Sequence, residues 1–337
     1  MADRLYPLKF RPLLKRYLWG GRRLGTVLGK PLGDGADYAE SWEVADHGTD
    51  QSVVVNGPLA RTTLGRLVAE RGEELLGRHT PQARFPLLFK YLDCQRDLSV
   101  QVHPDDAAAA RLDPPDLGKT EAWLILDAQP GSRVFAGLRF GFDRTSLTRE
   151  VERGRTELCL SSFEPKVGDC IFIPAGTVHA LGAGLLVAEI QQASDTTYRL
   201  FDWNRVGPDG QPRPLHIEQA LDAIDYSAHV VTPSHPQLTD RPYVERLVAC
   251  DKFVLDRWRI DGPRALGQDD RFHILSVLEG ELFVGASSAV GARGSTTSDE
   301  VSLCSLIVGQ TVLVPASIRQ LSVAPRETCV FLDMYLP

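Results

Sequence analysis

Apolar and polar residues alternate along Leu98-Ser-Val-Gln-Val-His103, the period of a strand whose successive side chains face opposite ways. Ser99, Gln101 and His103 are therefore expected on one face, and Leu98, Val100 and Val102 on the other. A polar face carrying a histidine, on a strand with an apolar back, fits a polar pocket inside a β-barrel or a half-exposed strand with a surface histidine. Over residues 64–78 the apolar spacing changes to a helical period, with Leu64, Leu67, Val68, Leu75 and Leu76 on one side. Short runs predict strands at 86–93, 121–126, 133–138, 158–163, 170–174, 185–191 and 197–203, punctuated by Pro130-Gly131, Val167-Gly168-Asp169 and Pro208-Asp209-Gly210. Helices are predicted at 105–112, which Pro114-Pro115 ends, at 144–153 and at 217–224.

The flanks read differently. Residues 1–57 are rich in turns, and Trp19 and Trp42 read there as anchors of an N-terminal arm on the core. Residues 233–243 carry prolines and polar groups and read as a linker. Residues 244–337 again read as strands, with a small, polar hairpin loop at 287–300. A chain of many short strands with few helices is mainly β, a sandwich or barrel.

Two stretches repeat. Gly168-Asp-Cys-Ile-Phe-Ile-Pro174-Ala175 resembles Gly309-Gln-Thr-Val-Leu-Val-Pro315-Ala316, and the strand opening at Glu121 lines up with the one opening at His273. A glycine, a short apolar strand, a proline and a turn start and bend one strand of a small barrel. Two such units predict a duplicated barrel. The second unit has Gln320 where the first has His179, and no Gln-x-His pair.

Composition narrows the function classes. Lys and Arg number 37 against 44 Asp and Glu, a net charge of −7 in 337 residues without a basic block, which argues against nucleic acid or an anionic membrane as partner. No apolar run is long enough to span a bilayer, and residues 1–10 lack the apolar core of a signal peptide. Six scattered cysteines include no C-x-x-C pair, so a reducing cytoplasm is expected and a cysteine metal site is not. No obligatory protein partner is evident.

Ligand-type side chains stand out instead. Gln101 and His103 share a strand face, Glu121 opens an apolar strand, and His179 follows Pro174-Ala-Gly-Thr-Val178. One amide oxygen, one carboxylate and two imidazoles suit zinc with an open position. The same donors also take Fe(II), Mn or Co. Arg199 lies between Tyr198 and Leu200 in an apolar-aromatic strand, where a buried guanidinium needs an anion. Substrate would supply it, or an internal salt bridge with Asp195 or Asp202.

Leu98-Ser-Val-Gln-Val-His-Pro-Asp-Asp106, Gly118-Lys-Thr-Glu-Ala-Trp123, Pro174-Ala-Gly-Thr-Val-His-Ala-Leu181 and Ser194-Asp-Thr-Thr-Tyr-Arg-Leu-Phe-Asp-Trp203 together resemble the signatures of class I mannose-6-phosphate isomerase. Pro86-Leu-Leu-Phe-Lys90 and Trp19-Gly20-Gly21 resemble its N-terminal segments, and the resemblance runs along essentially the whole chain, in the shorter, bacterial-type form. It implies two cupin-like β-barrel (jelly-roll) lobes with a few short helices. Residues 1–232 would form a catalytic lobe holding the metal site, 233–243 a linker, and 244–337 a degenerate lobe without metal ligands. It implies one zinc ion per chain on Gln101, His103, Glu121 and His179, an active-site arginine at Arg199, and interconversion of mannose 6-phosphate and fructose 6-phosphate through a cis-enediol in carbohydrate metabolism. An Fe(II) cupin oxygenase and a non-catalytic sugar-phosphate-binding cupin are the alternatives. For the catalytic base the sequence offers Lys119, which shares a strand face with Glu121 and reads equally as a surface cation after Gly118. Asp195, another carboxylate or a zinc-bound hydroxide compete with it. Ser99, Lys90 and Asp195 are candidate substrate contacts.

Overall fold

The computed structural model describes residues 4–206, 210–227, 230–286 and 304–337. The loop expected at 287–300 lies outside these residues.

Strands dominate. In the N-terminal half a six-stranded antiparallel sheet runs, edge to edge, Cys170–Ile173, Glu121–Ala128, Leu185–Gln192, Leu87–Cys94, Tyr38–Val44 and Leu13–Gly21. A five-stranded sheet runs Leu160–Phe163, Val134–Leu138, His179–Leu181, Val100–Val102 and Tyr198–Phe201. The central strands of the larger sheet, Leu87–Cys94 and Leu185–Gln192, are buried along their whole length, which is why they read as near-continuous apolar runs rather than alternating ones.

The C-terminal half repeats this order. Its six-stranded sheet runs Thr311–Val314, His273–Glu279, Cys329–Tyr335, Val254–Ile260, Val244–Ala249 and Gln237–Leu238, beside a four-stranded sheet of Cys304–Ile307, Glu281–Ala286, Leu321–Pro325 and Arg264–Leu266. The register matches too. Ile173, just before Pro174, pairs with Glu121, and Val314, just before Pro315, pairs with His273. His273 thus occupies the place of Glu121, and Gln320, at the His179 offset, is exposed. Among the described residues each sheet is open, with two edge strands, and none closes into a barrel through its hydrogen bonds.

Helices are few. Leu64–Leu76 forms as the spacing predicts, capped by Thr63, whose side chain accepts from the Arg66 amide, and it buries the five predicted apolar residues. Arg144–Glu152 carries a capping box between Asp143 and Ser146, and Ile217–Ala223 closes the N-terminal half. The alanine run yields one short turn, Asp106–Ala109, ended well before Pro114.

Three expectations change. The turn-rich N-terminus is more than an arm, because Leu13–Gly21 and Tyr38–Val44 complete the larger sheet. Leu98 does not share a face with Val100 and Val102. The strand begins at Val100, and Leu98 packs with Trp19 and Leu92 while Val100 and Val102 pack with Leu147, Val178 and Leu200. Inside the expected linker, Gln237–Leu238 pairs with Glu245 and Arg246 and forms the sheet edge. The largest apolar cluster spans both halves, joining Leu8, Leu64, Phe85 and Phe89 to Phe253, Phe272, Leu313 and Met334.

Candidate active site and metal centre

Between the two N-terminal sheets lies a cavity of about 310 Å³. Register sets its walls. Across the smaller sheet His179 stands opposite Gln101, and Gln101 opposite Arg199, so three polar side chains form one row on one face. Across the larger sheet Lys90 stands opposite Glu189, and Glu189 opposite Trp123. The two rows meet across the cavity, and all six of these residues except the half-buried Gln101 and Arg199 are buried.

His103, Glu121 and His179 each offer an atom within 4.8 Å of the others, and each is 1% exposed. Both imidazoles are held from behind. His103 Nδ1 lies 2.9 Å from the Thr196 carbonyl and His179 Nδ1 lies 2.8 Å from the Thr177 carbonyl. A carbonyl only accepts, so each Nδ1 carries the proton and each Nε2 lone pair faces inward. Those Nε2 atoms lie 3.5 Å and 3.3 Å from the two carboxylate oxygens of Glu121. Burial pushes the His179 pKa down to about 4. Burial, with Lys119 adding to it, holds His103 well below its ordinary value. Both rings are thereby neutral at physiological pH, the form that binds a metal. Gln101 stands beside this group through its amide nitrogen, 3.3 Å from His179 Nε2, while its oxygen accepts from Ser99 Oγ at 3.5 Å.

The donor set suits a cation. Glu121 Oε2 is buried without a hydrogen bond, although the Lys119 ammonium lies 2.7 Å away at an unfavourable angle. Lys119 Nζ also donates to His103 Nε2 at 2.9 Å. Two neutral imidazoles whose Nε2 lone pairs, among the described residues, meet only the Lys119 ammonium and the Gln101 amide, beside an under-satisfied carboxylate, are a donor set for zinc or a similar divalent ion.

The remaining candidates fall into place around it. Lys90 and Ser99 line the cavity, as does the exposed Asp195. Lys90 Nζ is 3.7 Å from Glu40 and 3.5 Å from Glu189. Burial works against its charge, but Glu189 and Glu40 outweigh that and hold its pKa above the ordinary lysine value. Lys119 is buried, not a surface cation. Arg199 donates from Nε to Ser99 Oγ at 3.3 Å and from Nη1 to the Pro214 carbonyl at 2.9 Å. Asp202 is taken by Arg205 and Arg213, so among the described residues no carboxylate pairs with Arg199. Burial and the neighbouring Arg213 and Arg205 lower the Arg199 pKa, against the pull of Asp202.

Sequence reasoning missed Glu189. It is 2% exposed, lies 3.7 Å from Lys119, and has its pKa raised to about 7 by burial and by Glu121. Its signal was present, since a glutamate inside Leu-Leu-Val-Ala-Glu-Ile needs buried cations. Also missed was the stacked pair Tyr17 and Trp19 on the cavity wall, ring centroids 5.6 Å apart. The Thr177 and Thr196 carbonyls leave no mark in a sequence.

Residues 8–120 match the family model for the phosphomannose isomerase type I catalytic domain. Mannose-6-phosphate isomerase ManA of Bacillus subtilis is 38% identical over 283 residues, covering 82% of this chain and 86% of the relative. Mannose-6-phosphate isomerase of Streptococcus mutans is 34% identical over 276 residues, covering 82% and 85%. The crystal structure of the mannose 6-phosphate isomerase from Bacillus subtilis superposes with a TM-score of 0.86 at 31% identity, covering 98% of this chain and all of that one. The chain belongs to the type I phosphomannose isomerase family, the enzymes that isomerise mannose 6-phosphate.

Proposed function

We propose that this chain interconverts mannose 6-phosphate and fructose 6-phosphate through a cis-enediol, with zinc held by Gln101, His103, Glu121 and His179. The observation that carries this reading is the buried convergence of His103, Glu121 and His179, both imidazoles turned to present Nε2. Held there, zinc would supply Lewis-acid polarisation of the substrate carbonyl and, being redox-inert, would suit isomerisation rather than oxygenation.

The protein's own groups do the rest. Arg199, with no carboxylate partner among the described residues, is the fork for an anion, either the phosphate or the developing enediolate. Lys119, reaching His103 and Glu121 from the cavity wall, is the candidate base that carries the proton between C2 and C1, with Asp195 as its competitor. Lys90 and Ser99 contact the sugar phosphate, and Asp195 on the rim meets its hydroxyls. Neutralising Lys90 and Lys119 with Glu40, Glu121 and Glu189 keeps this many charges buried together.

For the chain as a whole, the reading is of two cupin-like lobes. Residues 1–232 carry catalysis, 233–243 link the halves while laying Gln237–Leu238 on the edge of the C-terminal sheet, and 244–337 form a lobe without metal ligands. The repeated strand order supports the duplication. His273 at the Glu121 position, tied 2.8 Å from Asp333 and 3.3 Å from Asp269, supports the absence of a metal site in the second lobe. Burial opposes its charge, but Asp333 and Asp269 push its pKa up to about 10. A protonated imidazole offers no lone pair to a metal.

The test is a chelation series on purified protein, with turnover of mannose 6-phosphate followed in air and without oxygen. Isomerisation is expected to vanish with the metal, return with Zn²⁺ at about one ion per chain, and proceed equally without oxygen. Full turnover in metal-free protein overturns the mechanism, and an oxygen requirement favours the Fe(II) oxygenase.

A further inference from the structure

Asp116 lies outside the cavity and belongs to none of the roles above. Its side chain is 11% exposed, and four groups converge on it. Arg84 donates to Oδ1 at 2.9 Å, Ser194 Oγ and Thr196 Oγ1 donate to Oδ2 at 2.7 Å and 2.8 Å, and His47 Nε2 stands 3.6 Å away. The two hydroxyls belong to the loop between Leu185–Gln192 and Tyr198–Phe201, and that loop also carries Asp195.

The way this loop is held matters for the metal centre. Its start is fixed by backbone bonds and by Gln191, whose Nε2 donates to the Ser194 carbonyl at 2.5 Å. The Ala193 amide bonds the Pro86 carbonyl at 2.9 Å, and the Ser194 amide bonds the Gln192 carbonyl at 2.7 Å. Thr196 is held differently. Its hydroxyl donates to Asp116, and its amide donates to Ser194 Oγ at 3.2 Å, the same oxygen that donates to Asp116. Among the described residues, the Thr196 hydroxyl bonds Asp116 Oδ2 directly and its amide leads there through Ser194 Oγ. The Thr196 carbonyl is in turn the acceptor that sets the tautomer and ring plane of His103.

We infer that Asp116 is a positioning residue, which fixes the Thr196 carbonyl and through it aims His103 Nε2 at the metal. This rests on the proposed metal-dependent function, and extends it to a residue two hydrogen bonds from the donor set. A carboxylate suits the task because it accepts from two hydroxyls at once while Arg84 balances its charge. Partners behind a ligating histidine typically affect metal affinity by about 10–100-fold.

The experiment measures the Zn²⁺ dissociation constant by competition with a chelator, in full-length protein, without using turnover. Melting curves of each metal-free variant verify that it is folded. Asp116→Ala and Thr196→Val are expected to weaken Zn²⁺ binding by about 10–100-fold. Thr196→Ser restores the hydroxyl and is expected to bind as wild type does, a rescue that a general loss of packing would not produce. If folded Asp116→Ala binds Zn²⁺ as tightly as wild type, the inference is overturned. Should Asp116→Ala fail to fold, unchanged affinity in Thr196→Val overturns it equally. Wild-type protein that takes up no Zn²⁺ overturns the metal-dependent reading itself, a result distinct from unaltered variants of a zinc-binding wild type.

Discussion

Arg199 shows how much one side chain's surroundings decide. A guanidinium in a largely apolar strand is costly unless something negative meets it, yet the nearby Asp202 already serves Arg205 and Arg213. Its fork is left to the cavity, with Ser99 and the Pro214 carbonyl orienting it from behind. Arg199→Ala is expected to keep its zinc while kcat/KM for mannose 6-phosphate falls by about 10²–10³-fold, the usual cost of losing one preorganised donor. Metal analysis beside steady-state kinetics checks this, and loss of zinc would instead make Arg199 structural. At this scale the chemistry was largely legible in the sequence. Gln101, His103, Glu121 and His179 stood out as polar residues in otherwise apolar strands, and they meet. Glu189 carried the same signal, a charged residue in an apolar strand, but its role was not legible because its cationic partners come from other strands.

At the scale of elements, the paired Gly–strand–Pro units make a sharp comparison. Gly168 and Gly309 both adopt positive φ, +91° and +78°, which side chains avoid. Their surroundings differ. A Cβ on Gly168 meets nothing closer than Arg257 Nη1 at 3.6 Å, whereas one on Gly309 falls 2.2 Å from the Leu28 carbonyl oxygen. Gly168→Ala is expected to cost about 1–2 kcal/mol, the left-handed strain alone. Gly309→Ala is expected to cost about 1–3 kcal/mol more, because backbone must move to make room. Urea unfolding of the two variants measures the gap, and equal losses would show that the Leu28 segment yields freely. The repeat was visible in sequence because a turn with positive φ demands glycine wherever it recurs. The strands Leu13–Gly21 and His179–Leu181 were not, since one lies in a turn-rich stretch and the other is three residues long.

The whole molecule is organised by a core shared between halves. Phe85 packs against Phe272 with ring centroids 4.7 Å apart, Tyr91 Oη meets Ser276 Oγ at 2.5 Å, and the Leu8 and Leu313 backbones exchange hydrogen bonds. Separating the halves would expose the cluster that joins Phe253, Phe272 and Met334 to Leu64 and Phe89. The full chain is therefore expected to melt in one transition, with calorimetric and van't Hoff enthalpies equal. Two resolved transitions would show that the halves are energetically independent despite this contact.

Taken alone, the sequence determined what local rules control. Alternation and spacing set most strands and the one long helix, glycine and proline set the turns of the repeat, and the four candidate ligands could be named. The tertiary structure decided what depends on register and on distant partners. It placed His179, Gln101 and Arg199 in one row, buried Lys119 among carboxylates, and moved Leu98 to the cavity side. It also set backbone carbonyls behind each histidine. The reason is physical. A strand's period is a property of its own residues, whereas the charge state and aim of a buried side chain belong to the neighbours that folding brings to it.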